Sequence, residues 1–136
     1  MCIFKKAKKN TEVNKTKLSE AELKFNKMWD LWAKGDIPSP YADLMTYQSE
    51  VNNGGHAQFF DNVSSTGHLH AVMRELKRIV PFDIKFHLVE AYNAYRVNGA
   101  DAEENEGFFD AADEVFYEKE EKINKILEKF SETIQL

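Results

Sequence analysis

Apolar residues recur every three or four positions along most of this sequence, and that spacing restricts the chain to helices. Leu69, Val72, Met73, Leu76, Ile79 and Val80 follow the i, i+3, i+4, i+7 template closely, so one face of a 3.6-residue helix is apolar there. No run of strict alternation bounded by hairpin turns appears, so strands are not needed. The expected fold is all-α, a single-domain bundle of about six helices over residues 18–136, preceded by a basic flexible tail over residues 1–17.

The breaks between the periodic segments are chemically marked. Ser19 and Glu22 form a capping box, with Leu18 and Leu23 placed as its hydrophobic staple. Met28, Trp29, Leu31 and Trp32 continue that helix to a stop at Gly35. A second helix is expected from Ser39-Pro40 through Tyr41, Leu44, Met45, Gln48 and Val51. It closes in Asn52-Asn53-Gly54-Gly55, where Asn53 and Gly54 can take positive φ and Gly55 allows a close approach. A brief third helix, His56 to Val63, carries Phe59 and Phe60; residues 69–80 form the fourth. Pro81 opens a fifth, with Ile84, Leu88, Ala91 and Tyr95 on one stripe and Asn98-Gly99 as its cap. The sixth and longest aligns Phe109, Ala112, Phe116, Ile123, Leu127, Phe130 and Ile134.

At 136 residues and 43% hydrophobic, the chain has material for one core and little left for a second domain. No stretch reaches the roughly 18 apolar residues of a membrane span. Met1-Cys2-Ile3-Phe4 runs directly into Lys5 and Lys6 without an apolar signal region, so a cytoplasmic location is expected. Lone Cys2 offers neither an internal disulfide nor a metal framework.

The net charge of −5 hides an asymmetry: residues 1–27 carry eight Lys against three Glu, whereas residues 101–121 hold ten acids and one base, Lys119. Asp101, Glu103, Glu104 and Glu106 precede the last helix; Asp110, Asp113, Glu114, Glu118 and Glu121 follow at spacings of three and four. Such neighbours share a helix flank, with Cβ atoms about 5–6 Å apart. A row of carboxylates presents a field like that of a phosphate backbone and suits a basic, DNA-binding surface. The plainer reading of the same charges is solubility. The basic tail has two readings as well, a disordered segment or a weak contact to nucleic acid or an anionic membrane surface.

Motifs tied to catalysis are missing. There is no G-x-S-x-G elbow, no phosphate-cradling G-x-x-x-x-G-K-[ST], and no G-x-G-x-x-G after a strand. His68 and His70 are two apart and point to different sides of a helix. His87 and Glu90 are three apart, but the order reverses the Glu-x-x-His of di-iron bundles and no second copy exists. The four histidines are therefore read as ordinary surface or partly buried side chains, with no catalytic residue, metal or cofactor expected.

The segment Glu50-Val51-Asn52-Asn53-Gly54-Gly55-His56-Ala57-Gln58-Phe59-Phe60-Asp61-Asn62 resembles the E-V-N-N-G-G-x-x-Q-[FY]-[FY]-x-N signature of a bacterial domain family named for a DNA-mimic protein. The similarity extends from about Tyr41 to Tyr95. The resemblance implies an all-helical fold and, by analogy with the namesake, a negatively charged homodimer that occupies the DNA-binding face of a transcription regulator. The motif residues Asn52, Asn53, Gly54, Gly55, Gln58, Phe59, Phe60 and Asn62 admit two roles. In one they build a structural corner, with Gln58 and Asn62 bonding backbone groups at the turn and the two Phe rings anchored in the core. In the other, Asn52, Asn53, Gln58 and Asn62 line a polar pocket. The function expected is non-enzymatic: an acidic protein-binding domain whose partner is a nucleic-acid-binding protein met through residues 101–121. The alternatives are an immunity or antitoxin-like protein blocking a basic toxin, and an enzyme acting on a small ligand in the Asn/Gln pocket.

Overall fold

A helix with one apolar stripe is stable in water chiefly where that stripe is covered. In a computed structural model, which describes residues 17–136, five helices cover one another. They are α1 (Glu20–Ala33), α2 (Tyr41–Ser64), α3 (Leu69–Ile79), α4 (Phe82–Asn98) and α5 (Glu106–Ser131), with one turn of 3-10 helix at Glu103–Asn105 ahead of α5. Among the described residues there is no strand, and no helix is long and apolar enough to cross a membrane. The basic tail expected over residues 1–17 lies outside the described residues, apart from the exposed Lys17.

Local chemistry sets the helix ends. At α1 the Glu22 backbone N–H donates to Ser19 Oγ at 3.1 Å, and the Ser19 N–H donates to Glu22 Oε1 at 2.8 Å, so both halves of the capping box are made. Leu18 and Leu23 are both exposed. Gly35 ends α1 at positive φ, and Pro40 and Pro81 stand immediately before α2 and α4.

The helix count differs from the expected six at one place. The two helices expected on either side of the Asn-Asn-Gly-Gly run are one element, α2, bent in the middle. Only Gly54 (φ −163°, ψ 23°) and Gly55 (φ 74°, ψ −174°) leave helical geometry, so the bend is absorbed in two residues and no loop opens. Positive φ falls on Gly55, not on Asn53 or Gly54. Asn52 and Asn53 remain in the first arm of the helix.

The two longest helices form the centre. α5 packs against α1, α2 and α4; α2 also packs against α3 and α4. Where they cross, Tyr47, Phe59 and Phe60 from α2 meet Phe116, Ile123 and Leu127 from α5, all fully buried. Tyr47 makes edge-on contacts with Phe59 at 5.0 Å and with Phe116 at 5.4 Å between ring centres. Full burial of such side chains stabilises by roughly 1.5–3 kcal/mol each. Tyr41 stacks on Phe130 at 4.1 Å, joining the start of α2 to the end of α5. α5 is thus clamped along its apolar side and leaves its other side to water.

Candidate functional site

Each residue advances an α-helix by about 100°, and that rotation sorts the carboxylates of α5. Asp110, Glu114, Glu118 and Glu121 fall on the side away from the core and are exposed. Asp113 falls at the edge of the apolar stripe and turns toward α2. Ahead of the helix, Asp101, Glu103, Glu104 and Glu106 are also exposed. Their segment is pinned by buried Asn105, whose Oδ1 accepts from Asn98 Nδ2 at 3.0 Å while its Nδ2 donates to the Gly99 carbonyl at 2.6 Å. Glu103, Glu104 and Glu106 stand at the N-terminal end of α5, where the helix dipole favours negative charge. The exposed row is little neutralised. Among the described residues, the one ion pair within it is Glu121 with Lys125 at 3.7 Å, both well exposed.

Asp113 belongs to a different structure. Its Oδ1 accepts from the His56 backbone N–H at 2.8 Å and bonds His56 Nδ1 at 2.7 Å. On the far side of that ring, Nε2 bonds the Tyr47 hydroxyl at 2.6 Å. A carboxylate only accepts, so Nδ1–H donates to Asp113 and the phenol donates to Nε2. Burial, reinforced by the charge of Asp113, holds the Tyr47 phenol well above its usual range, which keeps its proton in place to donate. Both rings are wholly buried, against Phe59, Phe60 and Phe116. Of the three side chains, Asp113 alone reaches water, at 30% exposure. A reactive atom on His56 would have no room for a substrate. The arrangement braces α2 to α5 and satisfies polar groups inside an apolar core.

The brace continues as a seam between the two helices. Glu120 Oε2 accepts from Gln48 Nε2 at 2.9 Å and from Asn52 Nδ2 at 2.6 Å. Gln48 also donates to Asn124 Oδ1 at 2.8 Å, and the Tyr117 hydroxyl donates to the Val51 carbonyl at 2.8 Å. Burial raises the Tyr117 phenol, with Asp113 and then Glu120 adding to it, which again favours the donor form.

At the bend of α2 the motif side chains meet around Glu50. Its Oε1 accepts from Gln58 Nε2 and from Asn62 Nδ2, each at 2.8 Å. The two amides expected to bond backbone groups at the turn are instead held by a carboxylate on the opposite arm, eight and twelve residues upstream. Gly54 and Gly55 are required by what lies beside them. A Cβ on Gly54 would collide with the Gln58 side chain, and a Cβ on Gly55 would lie 2.7 Å from Asp113 Oδ2. Phe59 and Phe60 are fully buried, whereas Asn53 is exposed. Ser49, Glu50, Asn52, Asn53 and Gln58 line an open polar groove of about 400 Å³. Most of its amides are already bonded, to Glu50 or to Glu120.

Six participants have no role assigned from the sequence: Tyr47, Glu50, His56, Tyr117, Glu120 and Asn124. His56 carried one usable signal, its position between Val51 and the Phe59–Phe60 pair on an apolar face. Elsewhere, His68 and His70 are exposed. Among the described residues, no three His, Cys, Asp or Glu side chains converge as metal ligands. A family model described as DMP19-like protein matches residues 40–134. No curated protein and no solved structure matches the chain.

Proposed function

The chain belongs to the DMP19-like family, and from that premise we propose that it is a non-enzymatic protein-binding domain whose acidic face engages a basic, nucleic-acid-binding protein. The observation that carries this reading is the exposed, largely unpaired carboxylate row: Asp101, Glu103, Glu104, Glu106, Asp110, Glu114, Glu118 and Glu121. Like charges at helical spacing of three and four disfavour the helix by a few tenths of a kcal/mol per pair. α5 tolerates them because its other side is held by the core, so the charges are displayed on a rigid rod. A partner evolved to grip phosphates would find comparable negative charge there. Asp113 is outside this surface, being committed to His56.

The test combines salt, competition and substitution. Immobilised protein should retain basic DNA-binding proteins at 0.1 M salt and release them at 1 M, as the screening length falls from about 10 Å to about 3 Å. Duplex DNA should compete for the same proteins. A variant carrying Asp110→Asn, Glu114→Gln, Glu118→Gln and Glu121→Gln should fold normally and lose the retention. Equal retention by that variant, or capture indifferent to salt, would overturn the reading.

A further inference from the structure

A second exposed feature adjoins the acidic row and differs from it in chemistry. Between α4 and the start of α5 runs an apolar groove of about 390 Å³, lined by Phe86, His87, Glu90, Glu104, Gly107, Phe108 and Ala111, with the His87 ring edge-on to Phe86 at 5.2 Å. Phe86 is 54% exposed and Phe108 43%; one turn before Phe86 on the same stripe of α4, Phe82 is 73% exposed. Three large aromatic side chains left open to water on adjoining helices mark a contact surface more than random exposure. Gly107 deepens the groove: a Cβ there would meet nothing within 4 Å, so no packing demands glycine. In a helix that residue is disfavoured by roughly 0.5–1 kcal/mol relative to alanine.

Charge identifies what fits. Among the described residues, Glu90 and Glu104 on the rim have neither an ion pair nor a side-chain hydrogen bond. Next to Phe82 in sequence, Asp83 is neutralised by Lys122 at 2.6 Å. The carboxylates of Glu90 and Glu104 therefore place negative charge on the groove's rim, and along α5 it leads onward. Gly107, Ala111, Glu114, Glu118 and Glu121, spaced four and three apart, share one helical stripe. We infer that the α4–α5 groove seats an amphipathic basic helix of the protein partner, its apolar side chains against Phe86 and Phe108 and its Lys or Arg residues over Glu90, Glu104 and the row beyond. Helix-in-groove recognition uses anchors at this spacing. A second copy of this chain would bring the same acidic rim and meet repulsion where the partner's bases are wanted. This inference rests on the binding function above and adds the partner's secondary structure and its apolar anchor.

The experiment uses the full isotope-labelled chain and a synthetic helical peptide of roughly four turns, bearing Leu at i and i+4 with Lys and Arg on both flanks. One control peptide replaces Leu with Ala at equal charge; the other replaces the bases with Glu. Amide shifts are expected at Phe86, Gly107 and Ala111 with the first peptide, and affinity about tenfold or more weaker for either control. Gly107→Leu fills the groove while leaving every carboxylate in place. It should keep or raise the melting temperature and abolish those shifts, and Phe86→Ala should weaken binding without unfolding the chain. Peptide binding unchanged by Gly107→Leu, with shifts confined to residues 114–121, overturns the groove and leaves the acidic-face function standing. No binding of any basic peptide overturns both. Concentration-dependent dimerisation abolished by Gly107→Leu would assign the groove to a second copy and overturn the inference.

Discussion

Replacing Asp113 with alanine should lower stability by about 2–4 kcal/mol, because it strands a backbone N–H and a buried ring nitrogen of His56. The same change at Glu114, exposed and one position on, should stay within about 0.5 kcal/mol. Urea denaturation of the two variants separates the carboxylate that braces from the carboxylates that face water. Gly55→Ala should be severe. Its φ of 74° with ψ of −174° belongs to a region only glycine occupies readily, a penalty of about 1–3 kcal/mol before the collision with Asp113 is counted. Asp43 yields a pH dependence. One of its oxygens is buried with no hydrogen-bond partner, and burial, with Glu75 adding, raises its pKa above 3.8. The folded state then holds that proton more tightly, so the penalty appears as pH rises from 3.8 through the raised value. Asp43→Asn should accordingly stabilise at pH 7 and lose that advantage below 3.8, which unfolding at both pH values would measure. At this scale the sequence was a partial guide. That Gly55 admits a close approach followed from its lack of a side chain. That the approaching group is Asp113, far along the chain, is a tertiary fact no spacing encodes. In the sequence His56 looks like an ordinary histidine because its two bonding partners lie nine and fifty-seven residues away.

Elements were the most legible level, since caps and stops depend on neighbours in sequence. The capping box of α1, the prolines before α2 and α4, and the apolar side of α5 stand where local chemistry puts them. Asn-Asn-Gly-Gly locates the bend in α2 but reads as a break between two helices, because composition reveals permissive dihedrals and not how few residues use them. Glu50 is what makes the bend a defined angle, holding two amides of the second arm from the first. Glu50→Ala and the double variant Gln58→Ala with Asn62→Ala remove the same bonds, so each should cost about 1–2 kcal/mol. The triple variant should be scarcely worse than either. Full additivity in that thermodynamic cycle would mean Glu50 acts elsewhere.

For the whole molecule, periodicity foretold that helices would pack and was silent on which would lie at the centre. α5 touches three other helices and α2 three, whereas α3 packs chiefly on α2. Amide exchange should therefore be slowest in the middle of α5 and on both sides of the α2 bend, and faster in α3 and the first turn of α1. Uniform protection would show that no such hierarchy exists. The polar seam sets a further condition on how these two helices can move. Apolar ridges tolerate a slip of one turn, about 5.4 Å, with modest repacking. Here such a slip would bring Phe109 or Tyr117 to the position Asp113 holds beside His56, and Phe116 or Asn124 to that of Glu120. The bonds act as the pawl of a ratchet with a single notch. Whatever meets the outer side of α5 meets a scale whose graduations cannot drift.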